Sequence, residues 1–275
     1  MRKATKRATT ESKKYLDKAR ELSARLVFPF REESIPIFQW VIESSAVDWK
    51  AKYYLGLIYW SKGRLEEVRK LFAECGESDY AVFYIARGYL NEETDSERSL
   101  ADFEKAVEID GEDWRNRHHL IDFYGRQDMI DKALASAQEA AEKFPNESKI
   151  KIDLALALAA NGRYADALVV LKETQVLPYE GASEVHTLYV GCHIHLAVES
   201  MEEGNYAIAL GHIGDSKAYP EHLGTGQPFE PDFSLQERLA EICQDRIEAG
   251  DKKDSRVEIP PEVLELIEAL DNKYD

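Results

Sequence analysis

The stretch SKIKIDLALALAANGRYADALVVL, residues 148–171, reads as two helices joined by a tight turn. Leu154 and Ala155 are the seventh and eighth residues of the first helix, and the small Ala155 lets a second helix approach closely. Gly162 stands where the first helix must end, since glycine tolerates the left-handed cap. Ala167 sits in the second helix, where a larger side chain would push the pair apart. The same phrase recurs outward in both directions. WKAKYYLGLIYWSKGRLEEVRKLF begins at Trp49, WRNRHHLIDFYGRQDMIDKAL at Trp114 and VGCHIHLAVESMEEGNYAIAL at Val190. A weaker copy, YAVFYIARGYLNEETDSERSL, begins at Tyr80.

From Trp49 to Tyr80, Trp114, Ser148 and Val190 the starts are spaced 31, 34, 34 and 42 residues. Equivalent positions carry Leu55, Ala86, Leu120, Leu154 and Leu196, then Gly56, Ala155 and Ala197. Gly63, Gly162 and Gly204 mark the turns; Ala133, Ala167 and Ala209 share one site of the second helix. Pro145 stops a second helix because it lacks the donor to continue it. A period near 34 residues with this small-residue pattern resembles the tetratricopeptide repeat. The expected fold is all-α, a right-handed helical solenoid of tetratricopeptide (helix-turn-helix) repeats with capping helices. Two copies depart from the pattern. The second carries Arg87 at the small position and Ser99 at the Ala position; the third carries Ile121, with Arg126 and Gln127 around its turn.

The expected organisation is a helical pair or degenerate repeat over 1–48 and about five repeats over 49–221. An irregular loop and closing helix follow over 222–251, then a polar linker and acidic helix over 252–275. TTESKKYLDKARELSARL and REESIPIFQWVIESS supply the first pair, with Pro36 placed in a first turn. DFSLQERLAEICQDRIEAG closes the array as a terminal repeat helix must, apolar on one side and charged on the other.

Composition narrows the function classes. Gly 15 and Pro 9 are too few for the turns of a sandwich or barrel. A net charge of −17 repels phosphates over most of the surface, so nucleic acid is not an expected partner. The basic start MRKATKRATTESKK reads as a solvated end. No run of about 18 apolar residues exists, so no membrane span is expected. Cys75, Cys192 and Cys243 are odd in number and far apart, without CxxC spacing; a reducing, cytoplasmic setting fits them.

The 42-residue interval holds an interruption, VLPYEGASEVH (176–186), which Pro178 and Gly181 make a rim loop. A second irregular stretch, YPEHLGTGQPFEPDF (219–233), leaves the other end of the same helical pair, so the two are expected near each other. LPYEGASE, LYVGCHIHLA, GNYAIAL and YPEHLGTGQP together resemble the C-terminal array of a bacterial multidomain family. In that family a β-sandwich of unassigned function, similar to galactose mutarotases, precedes tetratricopeptide repeats. The most specific matches are Pro178, Glu180, Gly181, Glu184 and His193, then Pro220, Leu223, Gly224 and Gly226. His222 replaces an expected Asn and Gln227 a common Lys. No stretch of alternating strands occurs here, so the chain is read as a separate array or a piece of a longer protein. The resemblance implies a carbohydrate-related setting and assigns no reaction.

Candidate chemistry is sparse. His186 and His193 share one helical face while His195 points nearly opposite, so three ligands cannot converge from one helix. Without HExxH or paired CxxC, neither metal nor cofactor is expected. Glu180 and Glu184, with Tyr179, offer an acidic pair whose first reading is capping of the next helix. Gly224 and Gly226 lack the Lys-Ser/Thr of a phosphate loop and read as a tight connection. First helices of such arrays line a concave face, which places Tyr53, Trp60, Tyr84, Arg115, His118 and Arg126 inward. They offer aromatic anchors and Arg–carboxylate pairs to an acidic peptide. For Tyr53 and Tyr84, packing between helices stands as an equal reading. The expected function is a non-catalytic protein- or peptide-binding scaffold, docking a β-sandwich domain in the same or another chain. The alternative is a subunit or fragment of a carbohydrate-processing enzyme, its glycan site completed by Tyr179, Glu180 and His193.

Overall fold

A computed structural model describes residues 31–44, 49–178, 182–250 and 259–271. Thirteen α-helices, two short 3-10 turns and no strand occur among the described residues. The expected helix over TTESKKYLDKARELSARL lies outside them. The chain divides into two compact units, residues 1–111 and 112–275.

In the first unit, α1 (Ile35–Ser44), with Pro36 in its first turn as expected, packs on α2 (Trp49–Ser61). Helix α2 forms a hairpin with α3 (Leu65–Glu74), and α4 (Ala81–Asn91) forms another with α5 (Ser96–Ile109). Phe72 and Phe83, both fully buried, meet edge to face with ring centres 5.6 Å apart. Arg69 of α3 donates to the Leu90 carbonyl of α4 at 2.7 Å, which links successive hairpins.

The second copy differs from its sequence reading. Helix α4 starts at Ala81, one residue after Tyr80, so Gly88 and not Arg87 occupies the small position. A Cβ on Gly88 would lie 3.0 Å from the Phe103 ring, the counterpart of Gly56 against Phe72. Arg87 instead reaches Asp102 of α5, and the Ser99 hydroxyl donates to the Gly88 carbonyl at 2.9 Å. The hairpin is close-packed because Gly88 supplies the approach and Ser99 satisfies the carbonyl it uncovers.

The second unit runs through α6 (Trp114–Arg126), α7 (Ile130–Lys143), α8 (Ser148–Ala160), α9 (Tyr164–Lys172), α10 (Ala182–Glu202) and α11 (Tyr206–Asp215). Consecutive helices pack as hairpins, and the first helices α6, α8 and α10 also neighbour one another. Helices α12 (Ser234–Glu248) and α13 (Pro261–Asp271) close this unit. Val263 and Ile267 of α13 are buried with Leu239 and Cys243 of α12 and Ile194 of α10, so the acidic C-terminal helix is docked.

Four turns share one hydrogen-bond pattern. Arg64, Met129, Arg163 and Asn205 N–H groups bond back to carbonyls five residues earlier at 2.7–2.9 Å. This is the Schellman closure, which needs a left-handed residue just before. Gly63, Gly162 and Gly204 take it with φ of 70–72°. In the third copy Asp128 takes it at φ 55°, since a short polar side chain tolerates that region. The turn of the second copy is different: Asp95 caps α5 by accepting from the Arg98 N–H at 3.0 Å.

Candidate functional site

The residues placed inward by sequence divide between burial and local pairing. Tyr53 is 3% exposed, ringed by Trp49, Phe72, Tyr80 and Phe83. Tyr84 is 4% exposed; its hydroxyl accepts from the Ser78 N–H and donates to the Ser78 carbonyl. Packing is thus their role, and their assignment to a partner-binding face is corrected. A helix pair whose small residues bring backbones together traps its neighbouring rings in the interior. Trp60 is half-buried against Phe72.

On α6, Arg115 is exposed, over the Trp114 ring and 3.4 Å from Asp113. Arg126 pairs with Asp122 one turn earlier. His118 meets the buried Asp153 of α8 at 2.8 Å, and Lys149 reaches the same carboxylate at 3.7 Å. On this face Arg115, Arg126 and His118 are thus each met by a carboxylate of the chain itself.

His119, next to His118, has its pKa lowered to about 4, first by burial and then by the His118 charge. Arg126 and Lys149 lower it further, whereas Asp122 raises it. The folded value lies below the unfolded one, so the unfolded chain binds the proton first. The stability contributed by neutral His119 is whole above the unfolded pKa and lost as pH falls toward 4. Between pH 7 and 4 the wild type is expected to lose on the order of 2 kcal/mol more than His119→Gln. Urea midpoints of both proteins at the two pH values check this; equal losses would contradict it.

The two rim loops do meet. The Val176 N–H donates to the His222 carbonyl at 2.8 Å, and Val176 and Leu223 share one buried cluster with Leu188 and Cys192. Gly224 has φ 74°, and a Cβ there would lie 2.9 Å from the Val176 carbonyl oxygen. Only glycine fits this crossing. Gly226 is exposed, with nothing near its Cβ position. Tyr179, Glu180 and Gly181 lie outside the described residues. Among the described residues of these loops, two large apolar side chains remain in solvent, Leu177 at 77% and Phe229 at 98% exposed. Sequence reading passed over both, although an apolar residue in a Pro- and Gly-rich connection is itself a signal.

The histidines of α10 separate by face as helical geometry requires. His186 is buried, stacked on Tyr219 with ring centres 4.1 Å apart, and its Nε2 meets the Ala218 carbonyl at 2.9 Å. Tyr189 donates to the Asp215 carbonyl at 3.1 Å and sets its ring edge-on to His193 at 4.7 Å. His193 Nδ1 lies 3.2 Å from His212 Nδ1 on α11, and the Asp215 carboxylate is close to both. His195, on the opposite side, stacks on Tyr164 at 4.3 Å and meets Asp271 of α13 at 2.9 Å. Burial lowers the pKa of both His186 and His193. It raises the thiols of Cys75 and Cys192 to about 12 and Cys243 to about 11, so these thiols are not poised as nucleophiles. No described helix is long and apolar enough to cross a membrane.

A tetratricopeptide repeat family model matches residues 30–78 and 121–175. No curated protein matches the sequence. Among solved structures the chain is similar to YrrB, a TPR protein with an unusual peptide-binding site. That match has a TM-score of 0.51 at 17% identity and covers 76% of this chain and 97% of YrrB. PilF of Pseudomonas aeruginosa matches with a TM-score of 0.44 at 19% identity, over 74% of this chain and 87% of its own. A tetratricopeptide repeat protein from Parabacteroides merdae matches at 0.43 and 10% identity, over 78% and 77%. The YrrB likeness shows the helical-repeat fold.

Proposed function

We propose that this tetratricopeptide-repeat chain is a non-catalytic scaffold that binds a protein or peptide through its paired rim loops. The observation that carries this reading is the exposure of Leu177 and Phe229 on two connections tied by the Val176–His222 bond and the Gly224 crossing. The tie matters energetically. A ligand meeting loops already fixed at their crossing avoids part of the ordering cost of binding. On the repeat helices, by contrast, His118 is engaged by Asp153 and Arg87 by Asp102 within the fold.

The resemblance to arrays that follow a β-sandwich supports a finer form, in which the occupant is a carbohydrate-active β-sandwich domain. Peptide display on the intact chain tests the coarser reading. Selected peptides should bind at least about tenfold more weakly to Leu177→Ser/Phe229→Ser and equally well to Trp40→Ser, an exposed control on α1. Both variants should keep their stability within about 0.5 kcal/mol. Affinity indifferent to the double substitution would contradict the loop site. A purified β-sandwich domain added in trans should compete with the peptides; without competition the finer form falls and the coarser stands.

A further inference from the structure

We propose that His193, His212 and Asp215 form a binding site for a divalent transition-metal ion of the zinc class, joining α10 to α11. The three ligand atoms, one from each side chain, lie within 4.8 Å of one another. The two imidazoles face each other through Nδ1 at 3.2 Å. Two nitrogens held by one tetrahedral ion at about 2.0–2.1 Å stand about 3.3 Å apart, so the ring spacing already suits a shared ion. With both rings protonated on Nε2, both Nδ1 atoms carry a lone pair that an ion can take.

Asp215 follows His212 by three residues on α11 and therefore shares its face. It brings the negative charge that neutral imidazoles lack. Nitrogen and carboxylate ligands together suit Zn²⁺, Co²⁺ or Ni²⁺ better than the all-oxygen shells of Ca²⁺ or Mg²⁺. Supporting contacts are in place: the Tyr189 ring holds one edge of His193, and its hydroxyl bonds the Asp215 carbonyl. Burial falls from His193, buried, through His212 to the exposed Asp215, which leaves an entry path from solvent. The ion would staple the last hairpin of the second unit, whose α10 also packs against the 3-10 turn Glu221–Leu223 beside the loop crossing.

The test uses the tag-free intact chain, stripped with chelator and titrated with Zn²⁺ by calorimetry. Co²⁺ serves as an optical probe of ligand type. One equivalent should bind, raise Tm and give a cobalt spectrum without thiolate charge transfer. His193→Gln and His212→Gln should each weaken binding at least about 100-fold and Asp215→Asn at least about tenfold, with His222→Ala unchanged. Should His193→Gln disturb the fold, the more exposed His212 and Asp215 still decide the matter. Failure of Zn²⁺, Co²⁺ and Ni²⁺ all to bind would overturn the proposal. So would binding that survives the His212 and Asp215 substitutions, which would assign it to scattered surface carboxylates.

Discussion

Replacing Arg87 with alanine is expected to cost about 3–5 kcal/mol of stability in the first unit. Its guanidinium meets the Asp102 carboxylate through two bonds, Nε to Oδ2 at 2.8 Å and Nη2 to Oδ1 at 2.6 Å. The Asp102 side chain is 4% exposed and that of Arg87 14%. The rings of Phe83 and Tyr84, each 5.0 Å from the guanidinium, shield it further. Burial of both charges makes the pair itself a modest net stabiliser. Removing one partner leaves a carboxylate that water cannot reach, and that penalty dominates. Arg87→Leu with Asp102→Leu should therefore be milder than Arg87→Ala alone. Urea unfolding read by tryptophan fluorescence compares both variants with the wild type. A loss below about 1 kcal/mol for Arg87→Ala would mean that solvent reaches Asp102 freely.

Phe72→Ala should be comparably severe, about 3–5 kcal/mol, because Phe72 is 1% exposed and touches the rings of Tyr53, Trp60 and Phe83. A Cβ on Gly56 would lie 2.5 Å from Phe72, closer than packing allows. Gly56→Ala should thus destabilise by about 1–3 kcal/mol despite the better helix propensity of alanine. In the Phe72→Ala background the same substitution should become neutral or stabilising, since the ring it strikes is gone. Additive losses in the double variant would show that Gly56 is needed for some other reason.

Much of the fold was legible because the repeat imposes local requirements that sequence states directly. Gly63, Gly162 and Gly204 announce left-handed turns, and Ala155 and Ala197 announce close approach. The second copy sits one residue later than the spacing predicts, and its turn, NEETDS, carries no glycine to mark the register and is closed by the Asp95 cap. Asp128 filled the glycine position of the third copy, which composition alone does not distinguish from an ordinary acid.

The sites were less legible. Opposite faces for His193 and His195 follow from helical geometry, but their partners do not. His212 comes from the next helix, and Asp271 lies 76 residues beyond His195. Both pairings depend on how helices are rotated against each other, which packing decides and periodicity cannot state. The HxxD spacing of His212 and Asp215 was available as a signal, but it acquires chemical meaning only opposite His193.

Hydrogen–deuterium exchange of the intact chain, with and without its tightest selected peptide, tests the scaffold reading most directly. Protection is expected at residues 174–178 and 222–229, around the Val176–His222 tie. Protection confined to the α6 face that carries Arg115 and His118, with the loops unchanged, would contradict it.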